Sequence, residues 1–187
     1  MSDGAVDHLT AAARLFGRLL LRELDAATLE ELRQDDVRLA LAELDVAVPE
    51  DAALPALGQR FFELFLHPDG ALPPVQSLWH NGQYDGDPAA GVRRIAEAAN
   101  LSMTDNARGA APDHLGCVLL LWAELREPRP ELATLLVQHH LAWTEPALQH
   151  TLADDGFYGA VCRATLRFVR ELRTDGDRPS SPPTDPT

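Results

Sequence analysis

The apolar residues of this chain recur at threes and fours almost throughout, and no segment holds the period of two that a half-buried strand requires. Leu9, Ala12, Ala13, Phe16, Leu19, Leu20 and Leu24 form the first stripe. Leu29, Leu32, Leu41 and Leu44, with Val37 and Ala40 between them, form the second. A third helix is predicted from about Pro55 to Leu66, where Leu57, Phe61, Phe62, Leu64 and Phe65 precede the stop signal His67-Pro68-Asp69-Gly70. Further helices are predicted over Ala89–Asn100, Pro112–Arg126, Glu131–Trp143, Glu145–Ala153 and Phe157–Arg173. Charged and apolar faces segregate within each, so the expected fold class is all-α, a single-domain helical bundle with short connections.

Length and composition agree with one domain. A chain of 187 residues, 45% of them hydrophobic, is long enough to bury roughly 70% of the surface its unfolded form exposes. Residues 1–173 are expected to form the helical domain. From Thr174 onward Asp, Gly, Pro, Ser and Thr dominate, the composition of a disordered tail covering 174–187. Cys117 and Cys162 lie in apolar helical runs, which implies free thiols and a reducing compartment. The acidic amino terminus lacks the basic and apolar regions of a secretory signal, and no apolar run approaches the ~20 residues of a bilayer span. A soluble, cytoplasmic protein is expected. With 29 acids against 16 arginines the formal charge is −13, a field that disfavours nucleic acid and anionic membranes and steers basic partners inward.

Two segments stand out as candidate functional regions. Pro112-Asp113-His114-Leu115-Gly116 opens the most apolar run in the chain, Cys117 to Leu125. Proline is tolerated in a first helical turn and an acid there faces the positive end of the helix dipole, so a helix is predicted to start near Pro112. The same residues are also an ordinary start signal with a histidine in the first turn. The other segment is the long irregular stretch from Pro68 to Pro88, which holds Gln76-Ser77-Leu78-Trp79 and Tyr84. Long loops in compact domains are commonly functional. A tryptophan on such a loop serves equally as a plug that fastens it to the core.

Taken in series, Phe61-Phe62-Glu63-Leu64-Phe65, Gln76-Ser77-Leu78-Trp79, Pro112 to Gly116, His140-Leu141-Ala142-Trp143-Thr144-Glu145-Pro146 and Phe157-Tyr158 resemble the TorD/DmsD family of redox-enzyme maturation chaperones. The order and spacing match over about Leu9 to Leu172. In place of the family's Glu-Pro-x-Asp-His this chain has Ala110-Ala111-Pro112-Asp113-His114, and in place of Glu-Ser-Val-Tyr it has Gln76-Ser77-Leu78-Trp79. Each departure removes a carboxylate. The resemblance implies a helical bundle of the TorD/DmsD type and a cytoplasmic chaperone, not an enzyme. Such a chaperone binds the precursor of a molybdenum or tungsten (molybdopterin-dependent) oxidoreductase, often through its twin-arginine signal peptide. It holds the precursor until cofactor insertion and folding precede export.

A receptor for two guanidinium groups joined to an apolar run needs carboxylates beside an apolar groove. The expected peptide-binding residues are Leu78, Trp79, Pro112, Asp113, His114, Leu115 and Gly116. Asp113 would accept an arginine fork, Leu78, Trp79 and Leu115 would supply apolar and stacking surface, and His114 would orient Asp113 or titrate near neutrality. An adaptor for a non-exported reductase subunit needs the same kind of groove. The connector Arg126-Glu127-Pro128-Arg129-Pro130 leaves exchange of helices between two copies, and hence a homodimer, open.

A metal-dependent hydrolase built from Asp113, His114, His139, His140 and His150 is the weaker alternative. Adjacent His139 and His140 point about 100° apart on a helix, and the His-Glu-x-x-His pattern is missing. No Gly-x-Ser-x-Gly elbow, phosphate-cradling glycine loop or Cys-x-x-Cys pair is present. No cofactor and no catalytic residue are therefore expected.

Overall fold

Capping and close helix packing, more than helix propensity, decide where the elements begin and end. The computed structural model describes residues 8–67, 73–102 and 109–176, and among them lie ten α-helices and no strand. These are α1 (His8–Leu21), α2 (Ala26–Leu32), α3 (Asp35–Glu43), α4 (Leu54–Phe65), α5 (Gln76–Asn81), α6 (Asp87–Ala98), α7 (Leu115–Leu125), α8 (Pro130–His140), α9 (Thr144–Leu152) and α10 (Phe157–Gly176). A 3-10 turn, Asp51–Ala53, precedes α4. The expected all-α bundle is what forms. No helix among the described residues is long and apolar enough to cross a membrane.

α7 is the axis of the bundle. Leu115, Cys117, Val118, Leu119, Leu121, Trp122, Ala123 and Leu125 are all buried, as a helix apolar on nearly every face must be. α1 lies along it, and α8 packs on it before α10 closes the bundle. The α1–α7 approach is backbone to backbone: a Cβ at Gly116 would lie 2.6 Å from both Gly17 O and Leu21 Cγ. Phe168 of α10 meets Phe16 at 5.8 Å and Trp122 at 6.1 Å between ring centroids. Tyr158, also on α10, packs on Phe61 and Phe65 of α4, and its hydroxyl accepts from Leu24 N at 3.0 Å.

Four element boundaries differ from the sequence expectation, each for a local reason. The stripe from Leu29 to Leu44 is two helices, because Arg33 N caps back onto Leu29 O and α3 restarts with Asp35 and Asp36 in its first turn. α7 begins at Leu115 and not near Pro112, since 111–114 is a turn closed by His114 N donating to Ala111 O at 2.9 Å, and His114, bridged to Val75, becomes the N-cap. α8 ends at His140, whose carbonyl accepts from Trp143 Nε1 at 2.8 Å. α10 continues through residue 176, three residues into the segment expected to be a tail, with Thr174 Oγ1 bonded to Arg170 O. The rest of that segment, 177–187, and residues 1–7 lie outside the described residues, as does 68–72 of the irregular stretch. Within that stretch α5 is an element that apolar spacing did not announce.

Candidate functional site

Three of the sequence motifs meet in one buried knot. Residues 73–75 and 113–115 run antiparallel, with an isolated bridge between Val75 and His114, Gln76 N donating to Asp113 O at 3.1 Å and Leu115 N donating to Pro74 O at 2.8 Å. α5 has no capping side chain of its own, because Val75 occupies its N-cap position. Asp113 supplies the cap from 36 residues away: its Oδ2 accepts from Ser77 N at 2.6 Å and from Ser77 Oγ at 2.5 Å. Ser77 Oγ in turn accepts from Gly86 N at 3.1 Å, which fastens the connection between α5 and α6. Gln76 joins the knot to the end of α8, with Nε2 on His139 O at 3.1 Å and Oε1 against His140 Nδ1 at 2.8 Å.

This geometry buries four of the seven residues expected to touch a peptide. Asp113 is 0% exposed with Oδ2 committed to Ser77, so an arginine fork has no path to it in this conformation. Its Oδ1 is buried without a hydrogen-bond partner among the described residues. Leu115 is a core residue, and Gly116 is where α7 touches α1. His114 does not titrate near neutrality: burial pushes it down to about 4 against the pull of Asp113. Its Nδ1 accepts from Gly116 N at 3.0 Å, which requires the neutral ring with the proton on Nε2. Leu78 and Trp79 are half-buried on α5, and Trp79 packs on the core with Nε1 donating to Pro73 O at 3.0 Å.

Pro112 and His114 do open onto a cavity. It has a volume of about 470 Å³ and lies between the end of α1, α4, the middle of α6 and the segment 109–114. Its walls are mainly apolar, with Leu20, Leu21, Phe61, Phe65, Leu66 and Val75 contributing. Phe61 and Phe65 are seated on Tyr158, so the Phe-rich and Phe-Tyr motifs form the floor beneath the motif that carries His114. The edge is unusually apolar: Leu66 and Tyr84 are each 60% exposed and the neighbouring Phe62 is 48% exposed. Sequence reasoning did not place Leu66, Tyr84 or Asp85 here. The available signal was on α4, where Phe61, Leu64 and Phe65 already complete the core stripe and Phe62 and Leu66 are an apolar surplus on another face.

The histidines expected as metal-ligand candidates are dispersed. His140 is buried, whereas His139 is exposed on the neighbouring face. Burial also pushes His140 down to about 4. Among the described residues no group of three or more His, Cys, Asp or Glu side chains could hold a metal ion. His80, His139, His140 and Arg94 line a second cavity of about 650 Å³ between α5, α6 and α8. Cys117 and Cys162 are both free and buried, and burial pushes each thiol up to about 12.

The model of the nitrate reductase delta subunit family matches residues 30–152. Among solved structures, a candidate redox enzyme maturation protein from Archaeoglobus fulgidus has the same fold, with a TM-score of 0.57 at 16% identity over 95% of this chain and 97% of that one. No curated protein sequence matches the chain.

Proposed function

The chain belongs to the nitrate reductase delta subunit family of TorD-like maturation chaperones, and from that premise we propose that it binds the precursor of a molybdenum or tungsten oxidoreductase in the cytoplasm. It holds that precursor, through a twin-arginine signal peptide, until cofactor insertion and folding are complete. The observation that carries this reading is the cavity beside Pro112 and His114, whose edge leaves Leu66 and Tyr84 each 60% exposed. Apolar side chains gathered around a concave surface lose their contact with water only when another apolar segment lies on them. The charge of −13 favours a segment that brings positive charge.

Roles divide accordingly. Pro112 and His114 contact the bound peptide, with Leu66 and Tyr84 covering its apolar run. Asp113, Leu115 and Gly116 build the wall behind them, and Leu78 and Trp79 hold the α5 segment that closes it. The test is calorimetric titration with a synthetic peptide carrying an Arg-Arg pair followed by a Leu/Ala-rich run. Leu66→Ser and Tyr84→Ser should each weaken binding by about 1 kcal/mol while leaving stability within about 0.5 kcal/mol, because the side chains are exposed in the free protein. Folded variants that bind as well as the unsubstituted protein would show that the peptide lies elsewhere.

A further inference from the structure

Asp85 and Arg93 are the single acid and the single arginine lining the cavity among the described residues, and they are paired with each other. Asp85 stands in the connection between α5 and α6 with φ of 68°, a left-handed conformation that a non-glycine residue adopts at a cost and that Asp and Asn tolerate best. The connection is secured on both sides of it. Gln83 N donates to Asn81 Oδ1 at 3.1 Å, and Gly86 N donates to Ser77 Oγ at 3.1 Å. A strained residue fixed between two anchors, at the wall of an otherwise apolar cavity, presents its carboxylate in one place.

We propose that Asp85 is the carboxylate that receives a client arginine, and that Arg93 occupies it in the free protein as an internal stand-in. The proposal rests on the signal-peptide reading above and gives the charged half of the ligand a partner. Asp113 lacks access, being 0% exposed, whereas the Asp85 side chain is 66% exposed. The Arg93 pair shows that a guanidinium fits against this carboxylate from within the molecule. Arg93 is itself 44% exposed at its side chain, so it can swing into water when an incoming arginine takes its place. Exchange of one guanidinium for another leaves the charge at Asp85 balanced, and the peptide's gain comes from the apolar run that follows.

The experiment compares two synthetic peptides by calorimetry: one with Arg-Arg before a Leu/Ala-rich run, the other with both arginines replaced by citrulline, which keeps shape and removes charge. Asp85→Asn is the first variant, since Asn tolerates the left-handed backbone. It should lower affinity for the Arg-Arg peptide about threefold, the order set by losing an exposed ion pair, and leave the citrulline peptide unaffected. Arg93→Gln frees the carboxylate and should raise affinity for the Arg-Arg peptide about threefold, as expected for removal of an exposed ion-pair competitor. Circular dichroism confirms that both variants are folded. If the unsubstituted protein prefers arginine and Asp85→Asn prefers it as strongly, or if Arg93→Gln weakens binding, the assignment of Asp85 fails while the peptide-binding reading survives. If the unsubstituted protein binds neither peptide, the peptide-binding reading fails and the assignment falls with it.

Discussion

Replacing Asp113 by alanine tests whether this buried acid is first a structural cap. The substitution leaves Ser77 N–H, held at 2.6 Å by Asp113 Oδ2, as a buried donor without a partner at the start of a helix that has no cap of its own. An abandoned buried donor costs about 1–3 kcal/mol, and the small cavity adds about 1 kcal/mol. Removing Asp113 Oδ1, which has no partner among the described residues, returns about 1 kcal/mol. The net loss is about 1–3 kcal/mol, a drop in Tm of roughly 2–12 °C for a chain of this size. Urea unfolding should show a lower midpoint with an unchanged slope. Asp113→Asn, which keeps one acceptor and supplies a donor where Oδ1 is alone, should cost less than alanine. A folded Asp113→Ala protein within about 0.5 kcal/mol of the original would refute the capping argument.

Gly116→Ala places a methyl group 2.6 Å from Gly17 O and should cost about 1–3 kcal/mol by overpacking; a thermal midpoint unchanged within a degree contradicts the close approach. His114 and His140 are each pushed from 6.5 down to about 4 by burial. Below pH 6.5 the unfolded chain gains a proton at each while the folded chain resists until about pH 4, so stability is complete above 6.5 and falls as pH is lowered. By pH 5 the loss should be about 2 kcal/mol per histidine, and urea midpoints equal at pH 7 and pH 5 would exclude it. Cys117 and Cys162, buried with thiols pushed up to about 12, should resist a thiol-specific chromogenic reagent until the protein is unfolded. Rapid labelling of the native protein would show that the core opens.

The long helices were legible because each carries its own periodic stripe, and the stop at His67 and the start at Pro130 are local chemistry. α5 was not legible, since its N-terminus is satisfied by Asp113 from elsewhere in the chain. For the same reason Pro112-Asp113 looked like a helix start: the bonds to Pro74, Val75 and Gln76 that hold 113–115 outside the first helical turn are non-local. The Asp-His pair marked a place where the two residues take different surroundings. Pro112 and His114 line the cavity, but the acid beside them faces inward to Ser77. Asp85 carried no motif, and only its place in the folded connection makes it a candidate.

The contact between Gly17 and Gly116 sets a spacing that no side chain can tune. Leu20 and Leu21 follow Gly17 on α1, and His114 lies just before Gly116, so opposite sides of the cavity hang from one main-chain junction. The junction therefore sets how far apart the α1 side and the His114 side of the cavity stand, while the aromatic layer around Phe168 and Tyr158 governs how firmly the bundle holds together. Such a division lets the interior drift over evolutionary time, exchanging one large residue for another, without changing the separation of those two walls. Wall spacing and robustness become separately heritable traits, the former inherited through a pair of hydrogens at two α-carbons.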